Sequence, residues 1–148
     1  MNVIRILAAG SAVAAVSLCA SAVGQATLKV NIDAGANYDQ ALKCYEYYDV
    51  AQQVADARAA KAEAGSDAQK GLQSQIATDK FLKMSWNKHI DETKGKKSNK
   101  VVDDDLAKAG APIIADANAG LGGDAGASGR YEAVQAKCKT YEKLEKPG

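Results

Sequence analysis

Apolar residues recur at intervals of three and four along most of the chain beyond Asn37, which is the spacing of one face of a helix. A first helix is predicted from Tyr38 to about Ala64, because Asn37 is a good N-cap and Gln40 completes a variant of the capping box. Gly65 ends this helix. The spacing places the following residues on its predicted buried face: Cys44, Tyr47, Tyr48, Ala51, Val54, Ala55 and Arg58.

A second helix is predicted to begin after Ser66, with Gln69 again three residues further along. Its pattern has two apolar sides, which predicts either a helix buried on both sides or a break near Thr78-Asp79. One side carries Leu72, Ile76, Leu82, Trp86 and Ile90, and the other carries Ala77, Phe81 and Met84.

The polar segment 92–100 predicts an exposed loop, after which Ser98 or Asn99 caps a third helix. The apolar positions of this helix are Val102, Leu106 and Ala109. Pro112 is expected to interrupt it, since proline lacks an amide donor and clashes with the preceding turn, and a new short helix would then start there.

Residues 120–129 contain five glycines in the sequence GLGGDAGASG and predict a flexible loop. The last helix is predicted from about Gly129 to Glu145. Its apolar stripe comprises Tyr131, Val134, Cys138 and Tyr141.

These elements predict an all-α fold, a small up-down four-helix bundle closed by one disulfide. The predicted organisation is a leader at 1–22, an extended lead-in at 23–36 and a single helical domain at 37–146, with a short strand as the alternative for the lead-in. In such a bundle the first and last helices are antiparallel neighbours. Cys44 and Cys138 would then lie close enough to bond.

The N-terminus has the parts of a secretory signal peptide. Arg5 precedes the uncharged apolar stretch 6–18, and Ala20-Ser21-Ala22 matches an Ala-x-Ala cleavage pattern. A membrane anchor is the alternative, but the stretch is shorter than the roughly 20 apolar residues that a spanning helix needs. We therefore expect cleavage after Ala22 or Ala26, no stable membrane span afterwards, and export to the periplasm or, second, secretion.

Removal of the leader changes the charge and the cysteine count. It takes Arg5, one of 19 basic residues, and none of the 18 acidic ones, so 18 of each remain. This neutrality argues against a nucleic-acid partner, which normally requires a basic excess. Cys19 also leaves, and Cys44 with Cys138 predict one disulfide, with free thiols or an intermolecular bridge as alternatives. In the chain-entropy model the bond would contribute about 4–5 kcal/mol.

The sequence predicts no catalytic residue, no metal site and no cofactor. His89 is the only histidine, whereas hydrolases usually need a histidine base and zinc sites usually need several His or Cys ligands. We expect His89 in a solvated position or near a helix C-terminus. No C-x-x-C-H motif accompanies Met84 and His89, which argues against haem.

Two charged runs have simple interpretations. The acidic run 103–105 would favour the helix macrodipole in a first turn, with loose cation binding as the alternative. Lysines 94, 96, 97 and 100 predict a solvated loop, with an anionic surface such as lipid head groups as the alternative partner.

Aromatic residues are the most unusual feature of the domain. Tyrosine combines an apolar ring with a polar tip, so the group suits core packing around the disulfide or a binding groove. The candidate binding face comprises Tyr45, Tyr47, Tyr48, Trp86, Tyr131 and Tyr141.

Residues 37–45, NYDQALKCY, resemble the second helix of a tetratricopeptide repeat. The preceding helix of that repeat is missing, and no second copy follows at a spacing of about 34 residues. The sequence therefore does not predict a solenoid.

The sequence favours an exported helical protein with a non-enzymatic binding or envelope-associated role, whose partner is an envelope protein or a small ligand. The alternative is a small-ligand carrier with a pocket between helices near Trp86 and Phe81. An enzyme is the third hypothesis, and it would gain support if Cys44 and Cys138 were free and distant.

Overall fold

The structure is a computed structural model that describes residues 29–145. The leader with Cys19, its cleavage positions and the first part of the lead-in lie outside these residues. The described elements, in chain order, are β1 (Lys29–Ile32), α1 (Tyr38–Ala59), α2 (Asp67–Thr93), α3 (Asn99–Leu121), α4 (Ala125–Lys139) and β2 (Glu142–Glu145). The predicted all-α class with four helices is confirmed.

The predicted starts of the first three helices are confirmed by their hydrogen bonds, whereas α4 begins at Ala125, before the predicted start near Gly129. The side chain of Asn37 accepts a 2.9 Å hydrogen bond from the amide of Gln40 at the start of α1. Ser66 accepts from the amide of Gln69 at 3.1 Å at the start of α2. Ser98 rather than Asn99 caps α3.

Pro112 does not interrupt α3, so the predicted break there is wrong. The residue is exposed, and the carbonyl of exposed Lys108, which loses its intrahelical donor, can be hydrated instead. The helix also continues to Leu121, and only 122–124 of the predicted glycine-rich loop separates it from α4. The second helix likewise has no break at Thr78-Asp79.

Helix α4 ends at Lys139, and residues 142–145 form the strand β2 and not the predicted end of the last helix. β2 pairs antiparallel with β1, with Ile32 opposite Glu142. The amide of Asp33 donates to the carbonyl of Tyr141 at 2.8 Å, and Lys143 pairs with the Asp33 carboxylate at 2.6 Å. Pairing between the two ends of the domain thus overrides the local helical pattern.

The predicted disulfide between Cys44 and Cys138 is confirmed. The Cα atoms are 5.5 Å apart, and both residues are fully buried. The bond joins the N-terminal part of α1 to the last turn of α4.

Helix α1 is the centre of the packing, because it contacts α2, α3 and α4, whereas α2 packs on α1 and β1. The main core lies around the disulfide and is built from Leu42, Cys44, Tyr47, Tyr48, Leu82, Trp86, Ile90 and Cys138. A smaller cluster of Val50, Ile113 and Ala117 joins α1 to α3 further along. Two cavities lie beside this smaller cluster.

Candidate functional site

The first cavity, which we call the α1–α3 cleft, lies next to the smaller core cluster. Its volume is about 410 Å³, within the range of small-molecule sites. Aliphatic side chains from both helices form most of its wall. The lining residues are Val50, Gln53, Val54, Ala57, Arg58, Lys61, Ile114, Ala117, Asn118 and Leu121.

Two cations border this apolar cleft. Arg58 lies in the last turn of α1 and Lys61 follows the helix, and both are exposed. Within residues 29–145 neither forms an ion pair, whereas Arg130 on α4 is paired with Asp116 at 2.7 Å. Leu121, which also lines the cleft, is 56% exposed. The cleft therefore combines an apolar interior with unpaired positive charge at its border.

The second cavity, which we call the tyrosine cavity, has a volume of about 360 Å³ and receives residues from all four helices. It shares Val54, Arg58, Ala117 and Leu121 with the α1–α3 cleft. The remaining wall is more polar and comprises Tyr47, Ala51, Gln75, Asp116, Gly120, Ser128, Tyr131 and Glu132.

The rings of Tyr47 and Tyr131 form one side of the tyrosine cavity. Their centroids are 4.8 Å apart and the rings are inclined by 37°. The hydroxyl oxygen of Tyr131 is buried and has no hydrogen-bond partner within residues 29–145. Burial, which disfavours the phenolate, raises the pKa of Tyr131 to about 12. The neutral hydroxyl is thus the form present at physiological pH.

Asp79 lies on α2 one turn beyond Gln75, which lines the tyrosine cavity. The residue is only 6% exposed, and its Oδ2 atom has no hydrogen-bond partner among the described residues. Burial is the main reason that the pKa of Asp79 rises to about 6. The negative charge of Asp79 also helps to raise the pKa of Tyr131. Gln75 donates a hydrogen bond to the Asp79 carboxylate and acts to lower its pKa, so Oδ2 is the atom of this carboxylate that lacks a partner among the described residues.

The structure divides the predicted aromatic face instead of presenting it as one surface. Tyr47, Tyr48 and Trp86 are core residues with 4%, 1% and 0% exposure. Tyr131 and Tyr141 are half-buried, and Tyr141 packs edge-on against Trp86. Of the predicted residues, only Tyr47 and Tyr131 come together at a cavity.

Trp86 lines neither cavity. Its indole N–H donates to the carboxylate of Glu142, which also accepts from the Tyr48 hydroxyl. Because this polar group is already satisfied and the ring is fully buried, we place the candidate ligand site at the cavities of α1 and not beside Trp86.

Tyr45 lies on another part of the surface, in a shallow depression between α1 and α2. The depression is bordered by Met84, which is 62% exposed, and by Lys83, which pairs with Asp49 at 2.9 Å. This surface is separate from the tyrosine cavity, because the two have no lining residue in common.

His89 is buried and not solvated, so that part of the prediction is wrong. Its Nε2 atom is 2.8 Å from the carbonyl oxygen of Ala36, in the segment between β1 and α1. The side chain therefore ties α2 to this segment. Within the described part of the chain no group of three His, Cys, Asp or Glu residues could hold a metal ion.

The charged runs pair with each other instead of acting separately. Since α3 begins at Asn99, the acidic residues 103–105 lie beyond its first turn, and the predicted macrodipole role is wrong. Asp105 accepts hydrogen bonds from Lys97 at 3.1 Å and from the Tyr38 hydroxyl at 3.2 Å. Lys100 pairs with Asp104 at 2.9 Å, so much of the basic loop is neutralised locally.

Several cavity residues were not singled out as functional by the sequence, among them Lys61, Ile114 and Leu121, and neither was Asp79, which lies outside the cavity linings. Arg58 and Asp79 did carry a signal. Arg58 is a cation on the predicted apolar face of α1, and Asp79 is a carboxylate within an otherwise two-sided apolar helix. A charged residue on an apolar helix face can lie near the end of the helix or beside a cavity. Only the packing of the helices distinguishes these two positions.

No protein family model, no curated protein and no solved structure matches the chain. Among the helices that the structure describes, none is long and apolar enough to cross a membrane.

Proposed function

We propose that the mature chain is an exported, non-enzymatic binding protein that holds an envelope amphiphile in the α1–α3 cleft. The ligand has an alkyl chain and an anionic head group. The observation that carries this proposal is an apolar cavity of about 410 Å³ bordered by Arg58 and Lys61, which form no ion pair within residues 29–145.

The cleft fits such a ligand in both of its parts. Aliphatic atoms of Val50, Val54 and Ile114 would contact the alkyl chain, and each buried methylene contributes about 0.8 kcal/mol. Hydrogen bonds from a guanidinium or ammonium to an anion are among the strong ones in proteins. A cationic head group would instead be repelled by Arg58 and Lys61.

Three observations support a non-enzymatic, exported role. The sequence has a signal-peptide pattern, and the disulfide is compatible with an oxidising compartment. Because Cys44 and Cys138 are bonded to each other, neither offers a thiolate nucleophile. The only histidine ring contacts the backbone of Ala36.

The proposal is tested with purified residues 23–148 in the oxidised form. Binding of dodecanoate, below its micellar concentration, is measured by calorimetry and compared with binding of dodecyltrimethylammonium. We expect dodecanoate to bind and the cation to bind at least tenfold more weakly. The double variant Arg58→Gln, Lys61→Gln should lose about tenfold or more in dodecanoate affinity, which corresponds to about 1.4 kcal/mol.

Matched variants separate the cleft from nonspecific effects. The pair Lys70→Gln, Lys80→Gln removes two exposed lysines from α2 and should bind as the parent does. Ala57→Phe fills the cleft and should abolish binding, whereas Ala107→Phe at an exposed position of α3 should not. The proposal would be overturned if dodecanoate failed to bind. It would also be overturned if the Arg58→Gln, Lys61→Gln variant bound dodecanoate as tightly as the Lys70→Gln, Lys80→Gln variant does.

A second candidate function, recognition of a protein partner, is favoured by the Tyr45 depression. Met84 is 62% exposed beside Tyr45, and exposed methionine is common on protein-binding surfaces. The test is recovery of cross-linked envelope proteins by the parent and by Tyr45→Ala, Met84→Ser. Undiminished recovery of the same partner by that variant would contradict this surface, and it would leave the ligand proposal untouched.

A further inference from the structure

We propose that the tyrosine cavity is a second binding site and that it takes a primary ammonium group. The site is formed by the rings of Tyr47 and Tyr131, the hydroxyl of Tyr131 and the carboxylate of Glu132. The buried carboxylate of Asp79 lies outside the lining, one turn beyond Gln75 on α2. The site is distinct from the α1–α3 cleft in its charge and in the chemistry of its ligand.

The paired tyrosine rings provide the first part of the argument. Tyr47 and Tyr131 come from α1 and α4 and meet with centroids 4.8 Å apart, so the cavity presents two aromatic rings within one small volume. Ring faces attract cations, and this attraction increases as the cation loses water. A cavity of about 360 Å³ is large enough for an alkylammonium group.

Unsatisfied polar atoms provide the second part. Tyr131 lines the cavity, and its hydroxyl is buried and has no hydrogen-bond partner within the described chain. Oδ2 of Asp79 also lacks a partner there, but Asp79 lies outside the lining and its carboxylate is hydrogen-bonded to Gln75. A buried polar atom that lacks a partner destabilises the fold, so a ligand that donates a hydrogen bond to the Tyr131 hydroxyl recovers part of this loss. A primary ammonium group has three N–H donors, whereas a quaternary ammonium has none. The geometry therefore selects a primary amine among organic cations.

The balance of charge provides the third part. Asp116 is paired with Arg130, whose guanidinium lies 2.7 Å from the carboxylate, so this pair contributes little net charge to the cavity. Arg58 and the exposed Glu132 are the remaining charged residues of the lining, and they have opposite charges but form no ion pair within residues 29–145. Asp79 then supplies additional negative charge from the α2 side, since its pKa of about 6 leaves it ionised at neutral pH.

Two groups outside the lining bear on Asp79. Lys139 acts to lower its pKa and Glu142 acts to raise it, so their effects oppose each other. Lys139 is exposed to solvent, where its field is screened, whereas Asp79 is almost fully buried. Asp79 therefore adds a negative charge beside the cavity, which an ammonium group would complement.

The test uses n-butylammonium as the probe, with tetramethylammonium and butyrate as comparison compounds. Saturable shifts of the aromatic resonances of Tyr47 and Tyr131 are followed by NMR in the oxidised protein at pH 7.5. We expect saturation with butylammonium, at least tenfold weaker binding of tetramethylammonium, and no shift with butyrate. Equal binding of both cations, or no shift with butylammonium, would overturn the proposal.

Conservative variants identify the contributing groups. Tyr131→Phe keeps the ring and removes only the hydroxyl, and it should lower the affinity for butylammonium about tenfold. Tyr38→Phe is the matched control, because Tyr38 bonds Asp105 and lies outside the cavity. Asp79→Asn should also lower the affinity for butylammonium. The folding of each variant is checked by circular dichroism. Unchanged affinity in both Tyr131→Phe and Asp79→Asn would assign the shifts to another site.

The two proposals fail separately. Of the two cavities, Lys61 lines only the α1–α3 cleft. Lys61→Gln should therefore lower the affinity for dodecanoate and leave the affinity for butylammonium unchanged. Tyr131→Phe should have the opposite pattern. A single variant that weakened both probes equally would contradict the assignment of two sites.

Discussion

The indole N–H of Trp86 donates a 3.0 Å hydrogen bond to Oε1 of Glu142. The other carboxylate oxygen accepts a 3.0 Å hydrogen bond from the hydroxyl of Tyr48. One residue of β2 thus satisfies the polar groups of two core aromatic side chains, one on α1 and one on α2. The C-terminal strand is fixed to the bundle by this carboxylate as well as by its pairing with β1.

Glu142→Ala should destabilise the fold. It leaves the buried donors of Trp86 and Tyr48 without partners, and each such donor costs about 1–3 kcal/mol. The free energy of unfolding is measured with guanidinium chloride, using the fluorescence of Trp86, the single tryptophan. Glu63→Ala, at an exposed position after α1, is the matched control and should stay within about 0.5 kcal/mol of the parent. Equal midpoints for the two variants would show that the carboxylate is not needed.

The helices were predictable from the sequence because their signals are local. Asn37 and Ser66 cap helices with the hydrogen bonds that the sequence indicates, and the apolar spacing of α1 identifies its buried face. Cys44 and Cys138 could be paired because removal of the leader would leave two cysteines. These inferences need only the periodicity of a helix and the chemistry of a cap.

The features that the sequence did not predict depend on contacts between residues that are distant in the chain. Residues 142–145 have a helical continuation in their pattern, yet they pair with β1, which is distant in the chain. Pro112 is tolerated because its ring faces solvent, and the sequence does not give that orientation. The cavities depend on how α1 and α3 pack, so Lys61 and Leu121 gained significance only in the folded chain.

Removal of the disulfide should cost about 2–5 kcal/mol. The bond joins residues 94 positions apart, so it restricts a large part of the unfolded chain. The variant Cys44→Ala, Cys138→Ala is compared with the parent by urea denaturation. The parent should also resist alkylation by iodoacetamide, because the bonded cysteines have no free thiol, and reduction of the bond should require unfolding, because both cysteines are fully buried. Rapid alkylation of the native parent, or unchanged stability of the double variant, would contradict this prediction.

Asp79 should make the protein less stable as the pH rises from about 4 to 6. Its pKa is raised from 3.8 to about 6 in the folded state, mainly by burial. Between these values the folded chain binds more protons than the unfolded chain, so the free energy of unfolding falls as the pH increases. The stability associated with the protonated form is fully present below pH 3.8 and lost above about pH 6.

Asp79→Asn removes this titration and is expected to be about 1–3 kcal/mol more stable than the parent at pH 7.5. At pH 3.5 the two proteins should differ little. Urea denaturation at a series of pH values measures the difference, with Asp56→Asn at an exposed position of α1 as the control. A constant difference across the whole range would show that Asp79 does not titrate with a raised pKa.

Gly110 allows α3 to approach the carboxyl group of Glu46 on α1. A Cβ atom at position 110 would lie 2.8 Å from Cδ and 3.2 Å from Cγ of Glu46. In the native protein, burial raises the pKa of Glu46 to about 7, with the nearby charge of Asp49 adding to the effect. Gly110→Ala should therefore displace the flexible side chain of Glu46 towards water and return its pKa towards 4.5.

The stability of Gly110→Ala should change little, because alanine favours the helix by about 1 kcal/mol and displacement of Glu46 opposes this gain. The pKa of Glu46 is measured by NMR titration of its carboxyl carbon. Gly129→Ala is the matched control, since a Cβ atom there meets nothing within 4 Å, and it should stabilise α4 without altering the titration of Glu46. A Glu46 pKa that stayed near 7 in Gly110→Ala, together with a loss of more than about 2 kcal/mol, would show that α3 moves instead of the side chain.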